Sequence, residues 1–580
     1  MSALSIARST LPWLKLPAIA ALIVLVGCSG PPPAASRDPE PRGAEPRESA
    51  ASDRAADLPT SAEPAEDEEP ADGDWIVSRI ASEPNHMNIY LDTSDAYASQ
   101  MTRDVFEGML EYDKETLELE PVLAESYEVS DDRLVYTFTL RDDIHFSDGV
   151  AITAHDVAFT VSAIQNPANE TADIRNYLQD IEQVEVLDER TIRFTCAKPY
   201  FKHLAMIGGL AVYPRHIYGE GDFNTHPNNR APVGSGPYMF ERWDTNQQIS
   251  FVRNENYWNK DEMPRILRHV YKVISDDSAA FQVLERQELD LMGMTPEQWV
   301  NRASRPEFTD KFDKYTYWAT TGYVGSYTYI AWNMRKPMFS DKRVRRALTM
   351  LLDRELILEE IYYGLGKIVT GGASSFSEEY DDTIEPWPFD PVQAAALLDE
   401  AGWVDSDNDG IRDKDGVAFR FEYLMPSGSR EGEQLATVYK EELARAGIDM
   451  TIRKLEWATF ITNLTKREFD ACTLGWAIPV DQDPYQVWHS SQTEHGSNYP
   501  GFSHPEVDQI LEDARLEFDR DKRNALYKRW HAILHEEQPY TFLFHMQRLV
   551  AVDKRYRNVR VYPQGFAQRE WWVPAHLQRY

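Results

Sequence analysis

Cysteine is scarce in this chain, with three residues among 580. Only Cys196 and Cys472 lie beyond the first 28 residues, so no disulfide framework stabilises the fold. A chain of this length buries enough apolar surface to fold without one. Cys196 alternates with Ile192 and Phe194, which predicts that it lies on the apolar face of a strand. We expect Cys472 to be buried as well.

Basic residues are also few, since 60 Lys and Arg stand against 95 Asp and Glu and leave a formal net charge of −35 at pH 7. A surface of this sign repels phosphate backbones, so we expect no nucleic-acid partner. Long apolar runs are almost absent. The run at residues 16–27 is shorter than the roughly 20 residues that span a bilayer, which argues against a permanent transmembrane helix.

The first 28 residues have the layout of a bacterial export signal. Arg8 and Lys15 give a positive start, and residues 16–27 form the apolar part. The segment ends in the letters LVGC at Cys28, which resemble the lipobox of bacterial lipoproteins, whose cysteine becomes lipidated and N-terminal. This resemblance implies a lipoprotein signal peptide at residues 1–28 and an exported protein whose lipid anchor holds it to the periplasmic or extracytoplasmic face of a membrane. An ordinary secretory peptide that contains a cysteine is the alternative.

The next segment lacks the composition of a folded domain. Residues 29–74 are rich in Pro, Ala and Glu and have almost no large apolar side chains. Such a segment cannot bury enough surface to fold. We therefore predict a disordered acidic tether at residues 29–74.

Strand and helix patterns alternate over residues 75–580, which predicts an α/β protein with helices on the faces of its sheets. In the clearest block, every second residue from Leu134 to Leu140 is large and apolar, as in a half-buried strand. Thr153 is followed at the third position by Asp156, which predicts a capping box at the start of a helix.

This block resembles the signature of the family 5 extracellular solute-binding proteins, the oligopeptide and dipeptide receptors of ABC importers. The segment from Pro121 reads PVLAESYEVSDD and is followed by YTFTLR and FSDGVAITAHDVAF, with Tyr127 where the family usually has Trp. Further resemblances follow in the family's order: PVGSGPY from Pro232, RNENYW from Arg253 and NMRKPMFSDKRVRRAL from Asn333. Together they cover nearly all of the chain after the predicted tether.

The resemblance implies an α/β fold of the two-lobed class II periplasmic-binding-protein type, with an extra subdomain in lobe I. Lobe I would comprise residues 75–292 plus 546–580, with the subdomain at about residues 106–213. Lobe II would comprise residues 293–545. The chain would cross between the lobes at both ends of lobe II, and the two crossing segments could act as a hinge.

Capping residues and apolar stripes predict several helices of lobe II. Val344, Leu348 and Leu351 form one stripe, and we expect the basic residues between them to face solvent. Further helices are predicted after Asp390 and Asp519, because each of these acids can cap a helix N-terminus.

The segment FDACTLGWAIPVDQDPYQVWHSS from Phe469 resembles the part of lobe II that lines the family's ligand cleft. In several peptide receptors an Asp three residues after the Trp of this motif holds the ligand's α-ammonium group, but here that position is Pro479. Acids follow at Asp481 and Asp483. Burying an ammonium group without a counter-charge costs several kcal/mol, so we expect one of these carboxylates to face it. The alternative is that both only cap or turn a loop.

The other expected ligand contacts come from both lobes. Aromatic rings offer flat apolar walls with polar tips, and the expected lobe II contacts are Trp476, Ala477, Tyr485 and Trp488. In lobe I, Asp95 and Tyr97 lie where family members contact the ligand backbone, although their local sequence equally fits a surface loop.

Two clusters could bind metal. Asp405, Asp407, Asp409 and Asp413 have the spacing of a calcium loop up to that point, but the position of the final bidentate Glu is Gly416. A structural calcium ion and a solvated turn both remain open for this loop. His531 and His535 lie four residues apart without a third ligand, so we expect interhelical or surface histidines rather than a zinc site.

The sequence contains no recognisable nucleophile with its base, no closed metal set and no cofactor motif, so we predict a binding protein and not an enzyme, with no cofactor. Two lobes would close on a short peptide, and a membrane permease with its ATPase would recognise the closed, monomeric protein. Because Pro479 replaces the usual acid, a non-peptide solute such as a nickel chelate or an oligosaccharide is an alternative cargo. A secreted hydrolase and a signalling receptor are further alternatives.

Overall fold

The structure, a computed structural model, describes residues 68–92, 96–318 and 327–580. The predicted signal peptide with Cys28, most of the predicted tether, and Asp95 lie outside the described residues. Across those three stretches, every helix falls short of the length or the apolar character that a bilayer crossing requires.

The strands of the described residues are numbered β1 to β24 in chain order. They are Trp75–Ile80, Leu110–Tyr112, Leu119–Pro121, Ala124–Val129, Val135–Leu140, Ile181–Val186, Thr191–Cys196, Tyr238–Asp244, Gln248–Arg253, Arg268–Val273, Leu291–Gly293, Phe312–Tyr317, Tyr327–Trp332, Gly366–Ile368, Asp413–Lys414, Val417–Ala418, Arg420–Pro426, Asp449–Leu455, Ala471–Trp476, Tyr540–Phe542, Phe544–Met546, Arg548–Asp553, Val561–Tyr562 and Gly565–Phe566.

The α-helices of the described residues are numbered α1 to α15 in the same way. They are Ala96–Thr102, Ala154–Gln165, Ala172–Leu178, His203–Gly208, Arg215–Tyr218, Asp277–Glu285, Pro306–Thr309, Lys342–Met350, Arg354–Glu360, Pro391–Glu400, Arg430–Arg445, Trp457–Thr465, Tyr485–Trp488, Pro505–Leu516 and Arg520–Glu537. Short 3-10 helices lie at Pro227–Asn229, Pro337–Phe339, Ser490–Gln492, Gln568–Glu570 and Ala575–Leu577, and a π-helix lies at Gln298–Arg302.

The central sheet of lobe I has seven strands in the order β12-β22-β11-β1-β10-β9-β8. β1 runs parallel to β10 and β11, and the other neighbours pair antiparallel. Neighbouring residues of one strand alternate between two cores, since Ile76 belongs to one apolar cluster and Val77 to another. Because both faces are covered, the sheet forms the interior of the lobe.

The extra subdomain is built on an antiparallel sheet of order β4-β5-β7-β6. Phe138, Phe194 and Cys196 face α2 in one buried cluster, which confirms the predicted burial of Cys196. The predicted capping box is confirmed too, because the Asp156 carboxylate accepts the backbone N–H of Thr153 at 2.9 Å.

The two aromatic residues that end the RNENYW segment, Tyr257 and Trp258, both form hydrogen bonds with the buried Glu107. The Tyr257 hydroxyl and the Trp258 ring N–H donate to the two Glu107 carboxylate oxygens at 2.7 and 3.0 Å. Burial raises the pKa of Glu107 to about 7, although both hydrogen bonds oppose the shift. Beside this pair, Gly234 passes so close to the Val105 carbonyl that a Cβ atom would collide with it.

Lobe II surrounds a five-stranded sheet of order β18-β17-β19-β13-β20. Side chains of β13 alternate between two cores, with Trp332 packed among α8, α10 and α11 and Tyr329 packed towards α14 and α15. Asp390 and Asp519 accept N–H hydrogen bonds at the starts of α10 and α15, as predicted. Cys472 is buried, which confirms that expectation.

The prediction that the basic residues of α8 all face solvent is wrong for Arg345. Its side chain is 1% exposed, and its guanidinium donates to the carbonyl oxygens of Phe339 at 2.8 Å and Glu537 at 2.7 Å. Backbone acceptors from two other segments solvate this cation in place of water, which periodicity along one helix does not reveal.

The chain crosses from lobe I to lobe II after Tyr317 and returns before Arg548. We predicted that lobe II begins at residue 293. Phe312–Tyr317 still belongs to lobe I, however, because it pairs with Arg548–Asp553 in the sheet of that lobe. Strand pairing over this distance in sequence has no local signal. The other predicted domain limits stay predictions.

The two ends of lobe I meet at a buried arginine. The Arg555 Nε atom donates to Asp74 at 2.9 Å, and its Nη1 atom pairs with Asp290. Asp553 lies 3.5 Å from the same guanidinium. All four side chains are 3% exposed or less. The contact fastens the first residues of the folded chain to its last strands.

The end of the predicted tether is therefore ordered, which corrects the limit at residue 74. Glu68 accepts a hydrogen bond from Arg557 at 2.7 Å, and Asp72 accepts one from Arg253 at 2.8 Å. Composition predicted disorder here because it counts only apolar burial. Glu68 and Asp72 are instead matched by arginines that lie far away in sequence.

We expect Asp290→Asn to lower the free energy of unfolding by about 1–3 kcal/mol, because the two Asp290 oxygens accept from the Val77 N–H and from Arg555, and an amide can accept only one of these buried donors. Urea unfolding measures the change, with the exposed Asp310→Asn variant as control, expected within about 0.5 kcal/mol of the parent. An Asp290→Asn variant as stable as that control would contradict the role given to the cluster.

The raised pKa of Glu107 predicts a pH dependence. The folded value is about 7, against 4.5 as the ordinary value, so the protonated form is favoured by folding and its contribution is lost as pH rises through 7. Between pH 4.5 and 8, Glu107→Gln should gain about 3 kcal/mol of unfolding free energy relative to the parent protein. Urea unfolding across this range checks it, with the exposed Glu360→Gln as control, and parallel curves for parent and variant would contradict it.

Candidate functional site

The loop after β19 carries the acids predicted to bind ligand, and it lies where the lobes meet. The loop leaves the sheet of lobe II at Trp476 and reaches α13 at Tyr485. Asp481 has φ of 50°, a left-handed conformation that is uncommon outside glycine. This bend separates Asp481 and Asp483 so that they meet different residues of lobe I.

Asp483 joins the lobes through one carboxylate. Its Oδ2 atom accepts a hydrogen bond at 2.7 Å from the hydroxyl of Tyr200, a lobe I residue. The same oxygen accepts from Arg515 Nε at 2.9 Å, and the Asp483 side chain is only 2% exposed. Burial, and then the charge of Asp483, raise the pKa of the Tyr200 hydroxyl far above its ordinary value, so this hydroxyl stays a donor. Asp483 thus already has a cationic partner within its own lobe.

Arg515 also contacts lobe I directly, through its backbone carbonyl and through the plane of its guanidinium group. Its carbonyl oxygen accepts the backbone N–H of Phe201 at 3.0 Å, which is a main-chain bond between lobes. Its guanidinium lies over the rings of Tyr485 and Tyr200, at 3.9 and 5.1 Å from their centroids. Tyr485 therefore contacts the cation that neutralises Asp483.

Asp481 is held less tightly than Asp483. Its side chain is 29% exposed, and the nearest Arg523 nitrogen is 3.8 Å away. The Tyr112 hydroxyl of lobe I lies 3.5 Å from the carboxylate, at the outer limit of a hydrogen bond. This carboxylate retains the capacity to accept from a further donor. The contact with a ligand ammonium group stays a prediction. Asp481 suits it better than Asp483, because its carboxylate is more exposed and less closely paired.

Two buried charges beside these acids were missed by sequence reasoning. Lys202 is 7% exposed, and burial lowers its pKa while Asp483, Asp481 and Glu379 oppose the shift. Glu379 is 9% exposed, and burial is the main reason why its pKa is raised to about 7. Lys202 and Glu379 lie in different segments of the chain, so no sequence motif or spacing predicts that they come together beside Asp481 and Asp483.

The residues predicted to form walls of the cleft lie in different environments. Trp476 is half-buried, and its ring N–H donates to the Tyr540 hydroxyl at 3.3 Å. Ala477 beside it is exposed. Trp488 is 1% exposed and packs in the core of lobe II against Tyr540 and Trp530. This corrects the expectation that Trp488 faces ligand, since the short helix α13 turns its ring inward.

The expected contacts of lobe I are described only in part. Tyr97 is half-buried and packs against the apolar cluster of lobe I, and Asp95 lies outside the described residues. The ligand roles of both residues stay predictions.

The acidic loop brings three of its four acids together. Asp405, Asp407 and Asp413 each place a carboxylate oxygen within 4.8 Å of the others, whereas Asp409 lies 3.8 Å from Arg420. Hydrogen bonds from Ser406 lower the pKa of Asp413. Donors within the loop therefore already solvate these acids, and calcium binding stays a prediction.

His531 and His535 pack inside lobe II. The two ring nitrogens of His531 lie 2.9 Å from the Thr370 hydroxyl and 3.2 Å from the Asp381 backbone N–H. Burial lowers the pKa of His531 to about 4. The ring of His535 stacks on Trp387 at 5.3 Å. Both rings are buried, so the surface position that the sequence left open for them does not apply.

The chain matches one protein family and several characterised proteins. The family described as bacterial extracellular solute-binding proteins, family 5 Middle, matches residues 118–498. The oligopeptide-binding protein AppA of Bacillus subtilis (strain 168) is 30% identical over 516 residues, which cover 86% of this chain and 92% of AppA. Di/tripeptide-binding protein 1 of Pseudomonas aeruginosa is 26% identical over 488 residues, which cover 80% of this chain and 87% of that protein.

Solved structures agree with these matches. AppA from Bacillus subtilis, in complex with a nonapeptide, superposes with a TM-score of 0.77 at 28% identity, covering 87% of this chain and 100% of that one. NikZ from Campylobacter jejuni, in complex with Ni(L-His), superposes with a TM-score of 0.74 at 25% identity and the same coverage. The chain therefore belongs to family 5 of the bacterial extracellular solute-binding proteins, which serve ABC importers, and it has their two-lobed fold.

Proposed function

We propose that this protein captures short peptides between its two lobes and delivers them to the permease and ATPase of an ABC importer. The observation that carries the proposal is the Asp481 carboxylate, which is 29% exposed at the meeting of the lobes and has no partner closer than 3.5 Å among the described residues. A peptide ammonium group would satisfy it. AppA, an oligopeptide-binding protein that is similar to this chain over most of both chains and whose structure holds a nonapeptide, supports this cargo.

Lobe closure is the proposed mechanism. When the lobes approach, Tyr200 of lobe I meets Asp483 of lobe II, and a bound peptide becomes enclosed beside Asp481. Main-chain hydrogen bonds to an extended peptide would supply affinity without reading its sequence. The closed pair of lobes is then the form that the permease recognises.

Export and anchoring complete the proposal. The lipobox-like ending at Cys28 supports lipidation of that residue, and a lipid anchor would hold the monomeric receptor beside its permease on the extracytoplasmic side of the membrane. Binding, and not catalysis, is the proposed activity. A secreted hydrolase and a signalling receptor have no observation in their favour.

A nickel chelate is the second candidate cargo. NikZ, with Ni(L-His) bound, shares the fold at 25% identity, and Pro479 occupies the position of the usual ammonium-binding acid. A chelate presents carboxylate oxygens and a metal charge, so its binding would not depend on a free ammonium group on the ligand. An oligosaccharide, the other non-peptide cargo considered, has no comparable support.

The peptide proposal predicts a loss of affinity in Asp481→Asn. Native mass spectrometry of gently purified protein should show retained peptides, and calorimetry with the retained peptide gives its affinity. Asp481→Asn should weaken binding about 10- to 100-fold, the value of a hydrogen bond to a charged group. N-acetylation of the peptide should cost the parent protein as much and should cost the variant little more.

Asp449→Asn is the control, because this exposed acid lies at the far edge of the lobe II sheet and should bind peptide as the parent does. Tight binding of Ni(L-His) together with no retention of any peptide would overturn the peptide proposal. Unchanged affinity in Asp481→Asn would remove the ammonium contact and leave the peptide proposal resting on its relatives alone.

The contact between lobes predicts a faster release of ligand in two variants. Tyr200→Phe removes one hydrogen bond to Asp483, and Asp483→Asn also leaves the Arg515 charge without its partner. We expect dissociation rates for the retained peptide to rise about 5-fold and at least 30-fold, respectively. Stopped-flow fluorescence measures these rates. Off-rates equal to those of the parent in both variants would show that this contact does not hold the lobes closed.

A further inference from the structure

Arg548 stands at the point where the chain returns from lobe II to lobe I. It is the first residue of β22 and comes two residues after β21, which pairs with β14 of lobe II. Its cross-strand neighbour is Tyr317, the last residue of β12 before the chain leaves lobe I. Arg548 therefore lies on the boundary between the lobes.

Arg548 is half-buried, and its cation lacks the acceptors that the buried Arg354 and Arg555 have. Its Nε atom is buried and has no hydrogen-bond partner, and no carboxylate within the described stretches lies within 4.0 Å of the guanidinium. Arg354, by comparison, donates to the carbonyl oxygens of Phe542 and Trp387, and Arg555 pairs with three acids. The Nε–H of this half-buried cation has therefore lost its water without gaining an acceptor, which is costly.

The surroundings of Arg548 add positive charge. Arg103 and Arg548 both act on the hydroxyl of Tyr317, and both oppose the rise that burial causes in its pKa. Arg103 is exposed and has no carboxylate partner in the described part of the chain. Burial also lowers the pKa of Arg548. Both cations thus act on the same tyrosine hydroxyl in a protein of net charge −35.

The position in the sheet favours a ligand over an internal partner. β1 runs parallel to its neighbours β10 and β11, and the end of β11 at Gly293 pairs with β22 only two residues after Arg548. Ligands of open α/β sheets bind beyond the carboxyl ends of parallel strands. Arg548 begins its strand at that end, on the side where lobe II follows.

We propose that Arg548 forms a carboxylate-binding site of lobe I that holds the α-carboxylate or an acidic side chain of the bound peptide. A guanidinium offers two parallel N–H donors that match the two oxygens of a carboxylate. The ligand would thereby supply the counter-charge that the chain does not. This inference rests on the proposed peptide function and names the peptide group that lobe I recognises.

Three peptide libraries of equal length test it, and retention is measured by native mass spectrometry and calorimetry. The first has free C-terminal carboxylates and no Asp or Glu, the second has C-terminal amides and no Asp or Glu, and the third has C-terminal amides with Asp and Glu. The parent protein should bind the first or the third about 10- to 100-fold more tightly than the second, as expected for a charge-assisted hydrogen bond. Which of the two is preferred identifies the source of the carboxylate.

Arg548→Gln should abolish the preference for peptides with a carboxylate. Arg548→Lys should keep part of this preference, because lysine keeps the positive charge but lacks the two parallel N–H donors of arginine. The exposed Arg286→Gln variant, in lobe I, should keep all of it. Since each preference compares libraries on one variant, partial misfolding cannot imitate the result. Equal binding of all three libraries by the parent, or an undiminished preference in Arg548→Gln, would overturn this inference alone. No binding of any library by the parent would overturn the proposed function and this inference with it.

Discussion

One buried carboxylate ties the two lobes together. Asp483 accepts hydrogen bonds from Tyr200 of lobe I and from Arg515 of lobe II, and it is almost fully removed from water. Both donors help to offset the loss of water around an ionised group at this depth. The closed arrangement therefore depends on a contact that strengthens as water is excluded and weakens as the lobes part.

The inside of each lobe and the surface between the lobes use different interactions. Each lobe has continuous apolar cores on both faces of its sheet, and opening such a core would expose a large apolar area. Around Asp483 the described contacts between lobes are polar and aromatic. Water can replace polar partners at a modest free-energy cost, so the lobes can separate while each stays folded.

Features formed by neighbouring residues could be predicted from the sequence, whereas contacts between distant segments could not. The capping box at Thr153 and the helix that Asp519 caps were predictable, because a cap and its helix lie within a few residues. The burial of Cys196 followed from alternation along one strand. Asp481 and Asp483 could be proposed as site residues from a motif, but their unequal environments could not, since Tyr112, Tyr200 and Arg515 come from separate segments. Trp488 and Arg345 were misjudged because their surroundings are formed by distant helices and carbonyl groups.

The sequence alone determined that this is an α/β protein that resembles family 5, with a strongly acidic composition and helix starts that can be located from their caps. These properties follow from composition, short-range periodicity and motifs, which act within a few residues. Only the tertiary structure decided which charges are matched: Asp483 by Arg515, Asp74 by Arg555, and Arg548 by no carboxylate among the described residues. The physical reason is that the energy of a charge depends on burial and on partners within a few ångströms, and these partners are brought together by folding from opposite ends of the chain.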